Sequence, residues 1–221
     1  MGSSLRRALM VALLVAARGV LAQAPAGAAL VEAAGRGDLA QVRRLVEGGA
    51  SVETRDARGR TPVLAATDGN HLEVVRYLIA RGADVNAQDA QKDSAFLLAS
   101  ARGSTDIVRA TLQAGADLRS TNRYGGTGLI PACHHGHVDT VRLLLTTNID
   151  VNHVNNLGWT ALLEAVILGD GGTAHAQIVQ MLIARGANVN LPDRDGVTAL
   201  AHAQRRGQVR VAQLLTLAGG R

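Results

Sequence analysis

Thr61, Ser94, Thr127 and Thr160 stand 33 residues apart, and Thr198 follows 38 residues later. Each opens a similar block: TPVLAATDGNHLEVVRYLIARGADVN, SAFLLASARGSTDIVRATLQAGADL, TGLIPACHHGHVDTVRLLLTTNIDVN, TALLEAVILG…IVQMLIARGANVN and TALAHAQRRGQVRVAQLL. Repetition in register rules out an irregular globular core. Each block is one small supersecondary unit that cannot bury its own apolar face, so stacking on its neighbours must do so. The fourth block carries five extra residues.

Within a block, the residue types fall where helix physics wants them. The Thr or Ser supplies a hydroxyl that accepts a hydrogen bond from a free backbone N–H at a helix start. Pro62 follows at the first helical position, where its missing N–H costs nothing. Five residues after each Thr or Ser comes Ala66, Ala99, Ala132, Ala165 or Ala203, small enough for helices to approach closely. The second helices carry apolar residues at helical spacing, as in Val75, Leu78 and Ile79, or Val141, Leu144 and Leu145. Gly82, Gly115, Gly186 and Gly219 then stand where a left-handed cap is wanted, and Asn148 takes that place once. Ala28 to Glu53 follows the same plan, with Ala33, Val42 and Gly49 in the equivalent slots.

A period near 33 with a Thr-initiated helix and a Gly-Ala-Asp turn resembles the ankyrin repeat, from about Ala26 to the C-terminus. The resemblance implies an all-α ankyrin-repeat solenoid of helix–turn–helix units with β-turn fingers, about six in number. The expected organisation is a leader over 1–22 and a repeat domain over 23–221. Within that domain an N-terminal unit covers 26–55, and repeats follow at 56–88, 89–121, 122–154, 155–192 and 193–221. Four departures stand out. Pro131 sits inside a first helix and removes a hydrogen bond there. Lys92 replaces the finger glycine seen at Gly59, Gly125, Gly158 and Gly196, which predicts a second finger of different shape. The His of the family's TPLH pattern is absent, with Leu64, Leu97, Ile130, Leu163 and Ala201 in its slot. The extra residues around Gly171 to Ala176 are expected to lengthen one inter-helix loop.

The leader has Arg6 and Arg7 before an apolar run from Ala8 to Ala17, then a small-residue site around Val20 to Ala24. That order reads as a secretory signal cleaved after Ala22, and the run is too short to span a bilayer. No stable membrane insertion is expected once it is removed. The resemblance to exported bacterial ankyrin proteins implies the periplasm. Arg6, Arg7 and Arg18 account for three of the five net positive charges, leaving +2 on the rest. So small a charge gives no footing for a nucleic-acid partner, and none is expected. Cys133 is the only cysteine, which precludes an intramolecular disulfide; it reads as a small buried hydrophobe beside Ala132, with a redox-sensitive or intermolecularly pairing thiol as the alternative.

No nucleophile–base pair can be assembled, so no enzyme activity and no cofactor are expected. Ser94, Ser100 and Ser104 have no His nearby in sequence, and Asp170-Gly171-Gly172 lacks a phosphate-binding lysine. His134, His135 and His137 form the one dense ligand-like cluster, but nothing in the spacing completes a tetrahedral set. Metal binding there is the weaker alternative, since the family places a Gly-His pair at this turn, as at Gly136-His137, and His71 holds the same slot in an earlier repeat. His153, His175 and His202 receive no role.

What remains is a surface. The resemblance implies that finger tips and first helices line a concave face. Tyr124, Leu157 and Trp159 then lie on two adjacent fingers. His134, His135, Ile167 and Leu168 lie on the first helices that follow those fingers. An aromatic and apolar centre with polar neighbours is the anatomy of a binding hot spot. The expected function is a monomeric adaptor or scaffold that binds a protein partner through these seven residues. A periplasmic protector or regulator of an enzyme, for instance in peroxide defence, is the alternative.

Overall fold

A computed structural model describes residues 26–221. The leader lies outside the described residues. Helices alternate with turns, and no strand occurs among the described residues. The described residues divide into two compact units, one ending at Asp84 and the other spanning Val85–Arg221.

In the first unit, α1 (26–35) pairs with α2 (Leu39–Glu47), and α3 (Pro62–Asp68) with α4 (Leu72–Ala80). Ala33, Val42 and Ala66 are buried, as the register requires. The guanidinium groups of Arg43, from α2, and Arg81 lie 5.0 and 4.8 Å from the centre of the Tyr77 ring on α4.

The second unit holds four helical pairs. They are α5 (Ala95–Arg102) with α6 (Thr105–Gln113), α7 (Leu129–His134) with α8 (Val138–Leu144), α9 (Ala161–Ile167) with α10 (Thr173–Ala184), and α11 (Ala199–Arg205) with α12 (Val209–Leu217). First helices stack in the order α5, α7, α9, α11, and second helices in the order α6, α8, α10, α12. Ala99, Ala132, Ala165 and Ala203 are fully buried in that stack. They are the reason the first helices can pack closely.

Four of the five hydroxyl caps form as expected. Thr61, Ser94, Thr160 and Thr198 accept from Leu64, Leu97, Leu163 and Ala201 N–H at 3.2–3.4 Å. Thr127 does not. In the other repeats the carbonyl of the Thr or Ser accepts from the residue four on, such as Ala65 or Glu164. In this repeat that residue is Pro131, which has no N–H. The Ile130 N–H turns to the Thr127 carbonyl instead, at 3.1 Å. The Thr127 hydroxyl is left buried without a partner, and α7 begins one residue late with Gly128 at its N-cap.

Three other expectations are corrected. Lys92 does not reshape its finger: it takes φ 59°, beside 71–82° at Gly59, Gly125, Gly158 and Gly196. The demand of the turn overrides the side chain's preference.

Asn148 does not act as a left-handed cap, since its φ is not positive. The carbonyls at the end of α8 are satisfied by the hydroxyls of Thr146 and Thr147 and by the Arg185 guanidinium. Asn86, Asn152 and Asn190 each donate to the carbonyl of a cap glycine in the next repeat. Arg119 stands in the slot that would have reached Asn148, so this repeat lacks both halves of the tie.

The insertion does not simply lengthen a loop either, because Thr173 to Ala176 form the first turn of α10. His175 on that turn donates from Nε2 to the His134 carbonyl, 2.9 Å away and 41 residues back. His71 and His137 make the same contact across 36 residues, to the Gly35 and Ala101 carbonyls. The inserted turn therefore restores the inter-repeat tie from a position five residues further along.

Candidate functional site

All seven expected surface residues lie in the second unit. Tyr124 is 51% exposed, Leu157 44% and Leu168 42%, while Trp159 and Ile167 are half-buried. Val154, 50% exposed, joins Leu157 on the same finger and escaped the sequence reading. It was readable only as part of the NHVNN stretch, where its neighbours are polar.

The fingers are built by a repeated asparagine or aspartate turn. Asn122 Oδ1 accepts from the Tyr124 and Gly126 N–H groups, and Asn155 Oδ1 from those of Leu157 and Trp159, all at 2.9–3.0 Å. The Asn155 N–H in turn donates to the Trp159 carbonyl at 3.0 Å. Adjacent fingers are joined where the Asn156 N–H donates to the Tyr124 carbonyl at 2.9 Å. Tyr124 and the Leu157–Trp159 tip are therefore parts of one connected edge. The Arg123 guanidinium lies 4.7 Å over the Tyr124 ring.

His134, Ile167 and Leu168 stand at the far ends of α7 and α9, about 10 Å from the fingers along the helices. His134 and His135 stack with ring centroids 4.2 Å apart. Burial, then the neighbouring His135 and His175, hold His134 below the ordinary histidine range; burial and His137 do the same for His135. The His137 ring is occupied by the Ala101 carbonyl. No group of three His, Cys, Asp or Glu side chains is placed to hold a metal ion among the described residues.

Between the fingers and the helix ends lies a residue that sequence reasoning missed. Glu164, on α9, has a side chain only 8% exposed. Its Oε1 accepts from Asn155 Nδ2 at 2.9 Å, and its Oε2 lies 3.6 Å from His134 Nδ1. Burial outweighs the Asn155 hydrogen bond and raises its pKa to about 7. Cys133, fully buried on α7, feels the same carboxyl, and burial pushes its thiol well up. A thiol so held is a core side chain.

The residues without an expected role also have partners. His153 Nε2 lies 2.7 Å from the Gly125 carbonyl, tying two fingers. His202 Nε2 lies 2.7 Å from Asp193 Oδ2. Asp193 and His202 are nine residues apart, as are Asn155 and Glu164, so each pair joins a finger to its own first helix.

The helical pairs, fingers and inter-repeat ties coincide with a match to known families. The family described as ankyrin repeats (3 copies) matches residues 6–89 and 96–193, and that of ankyrin repeats (many copies) matches 173–216. The chain is a member of the ankyrin-repeat family. It is 49% identical to an ankyrin repeat domain from Acinetobacter baumannii AYE, with a TM-score of 0.84 over 87% of this chain and 98% of that one. The ankyrin repeat domain of Bcl-3, a member of the IkappaB protein family, is 31% identical with a TM-score of 0.78, over 87% of this chain and 86% of that one. A chain in the complex of a predatory endopeptidase from Bdellovibrio bacteriovorus with an immunity protein is 28% identical. Its TM-score is 0.74, over 86% of this chain and 97% of that one. A putative ankyrin repeat protein of Escherichia coli K12, YahD, is 46% identical over 56 residues, 25% of this chain. That match spans 28% of YahD's own length. Ankyrin repeats are a protein–protein interaction module, and their fold is typically a non-catalytic scaffold.

Proposed function

We propose that this ankyrin array is a non-catalytic binding module that takes its protein partner on the finger and first-helix face of its second unit. One observation carries the reading. Tyr124, Leu157 and Leu168 are large apolar or aromatic side chains left exposed on adjacent repeats, with Trp159 and Ile167 half-buried among them. Burying such anchors is what supplies binding energy at a protein interface. Affinity capture with the purified repeat domain as bait, followed by identification of the retained protein, tests it. Recovery of a partner that the Trp159→Ala bait retains equally well would place the interface elsewhere.

A second reading, restraint or protection of an enzyme, is supported by the likeness to a chain from an endopeptidase–immunity protein complex. Under it, the captured partner is an enzyme whose activity changes on binding.

The leader motif supports action in the periplasm. N-terminal sequencing of native protein should find Gln23 or a residue near Pro25 first. Residues 1–22 intact on cytosolic protein would contradict export; the family match from residue 6 onward makes this worth measuring directly.

A further inference from the structure

Glu164 is placed where the binding reading has no use for an acid. It is buried, central, and wired to the finger that carries Trp159. Asn155 makes the connection: its Oδ1 holds the Leu157 and Trp159 N–H groups while its Nδ2 donates to Glu164 Oε1. An amide held at both ends cannot move at one end without moving the other. The equivalent slot four residues after the Thr or Ser holds Leu98, Pro131 or His202 elsewhere in this unit, so the acid is peculiar to the repeat with the tryptophan.

We propose that Glu164 is the positioning residue of the exposed patch, and that the charge on its carboxyl sets how Asn155 holds the Trp159 finger. Its consequence for partner binding rests on the patch reading above; the coupling itself does not. The groups around the carboxyl are known. From α7 come His134, with Nδ1 3.6 Å from Oε2, and the Cys133 thiol. His135 stacks behind His134. On α10, His175 is engaged by Asp170 Oδ1 and the His134 carbonyl, and on α11, His202 is engaged by Asp193. No fixed cation among these offsets a negative charge on Glu164. As a neutral acid it accepts from Asn155 and can donate toward the His134 ring, which burial holds below the ordinary histidine range. Once ionised, it is a charge in a nearly dry site, and the cheapest relief is water admitted by loosening the 155–159 finger.

The tryptophan is unique in the chain, so its emission reports this finger alone. The full repeat domain is titrated from pH 5 to 8.5 while Trp159 emission and acrylamide quenching are followed. The carboxyl is followed in parallel by carbon NMR of labelled glutamate. Emission should shift to longer wavelength and quenching should rise with a midpoint near 7, shared with one glutamate carboxyl. Glu164→Gln, which keeps the acceptor for Asn155, should hold the emission at its low-pH value throughout. Asn155→Asp keeps the finger turn, as Asp56, Asp89 and Asp193 do in theirs, but replaces the amide donor with an acid. It should move the midpoint up by a unit or more. The proposal is overturned if the emission transition survives in Glu164→Gln, if Glu164 titrates near 4.5, or if it titrates near 7 while Trp159 stays unchanged. None of these readouts needs a partner, so a failed capture experiment and a failed titration remain distinct results.

Discussion

Asn155 Nδ2 donates to the buried Glu164 carboxyl at 2.9 Å, linking a finger of the array to the middle of its own first helix. Asp193 and His202 repeat the geometry one repeat on with opposite chemistry, because there the finger supplies the acid and the helix the imidazole. The second pair places an acid beside a base. The first gives a buried carboxyl the Asn155 amide as its hydrogen-bond donor, and its energetics differ accordingly.

Stability should therefore depend on pH through Glu164. Its folded pKa, about 7, lies above the ordinary value of 4.5, so the folded protein holds this proton more tightly than the unfolded chain. Between those two values the folded state binds more protons, and stability falls as pH rises. Glu164→Gln removes the dependence. The variant should match wild type near pH 4.5 and exceed it by about 1–3 kcal/mol at pH 8 in denaturant unfolding. A constant difference at both pH values would show that the carboxyl does not titrate in this window.

Lys92 holds a left-handed backbone that the other fingers give to glycine. A side chain there costs about 1–2 kcal/mol, so Lys92→Gly should stabilise the protein by about 1 kcal/mol without altering the finger. Thermal unfolding checks this. A destabilised variant would mean that the lysine side chain makes contacts worth more than the strain.

Ala132 and Ala165 are buried at the contact of α7 with α9. Replacing either with Leu should overpack that contact and cost about 1–3 kcal/mol. Neutral effects at both positions in thermal unfolding would contradict the packing.

The repeat register was legible because it rests on residue types whose physics is local. Counting from each Thr or Ser located the buried alanines and put Tyr124, Leu157 and Trp159 on finger tips. What local reading missed was relational. Thr127 looks like its four counterparts, and only Pro131, four residues on, withdraws the N–H that lets the others cap. His175 appeared scattered because the five-residue insertion hides its equivalence to His71 and His137. Lys92 was expected to bend a finger because its own preference was weighed without the turn that overrides it. Glu164 was passed over because an acid in a helix ordinarily faces water. The one sequence signal was the nine-residue offset it shares with Asp193 and His202, and that offset has meaning only once the finger turn is known to face the helix.

The central claim is that the exposed patch of the second unit is the partner-binding surface. Its most direct measurement is calorimetric affinity of the captured partner for wild type and for Trp159→Ala, with thermal unfolding of both. Removing the indole should weaken binding by about 2 kcal/mol or more while leaving the melting temperature nearly unchanged. Arg58→Ala, on a finger of the first unit, should change affinity little. Unchanged affinity in a folded Trp159→Ala protein would contradict the claim, and an unfolded variant would show that Trp159 belongs to the core instead.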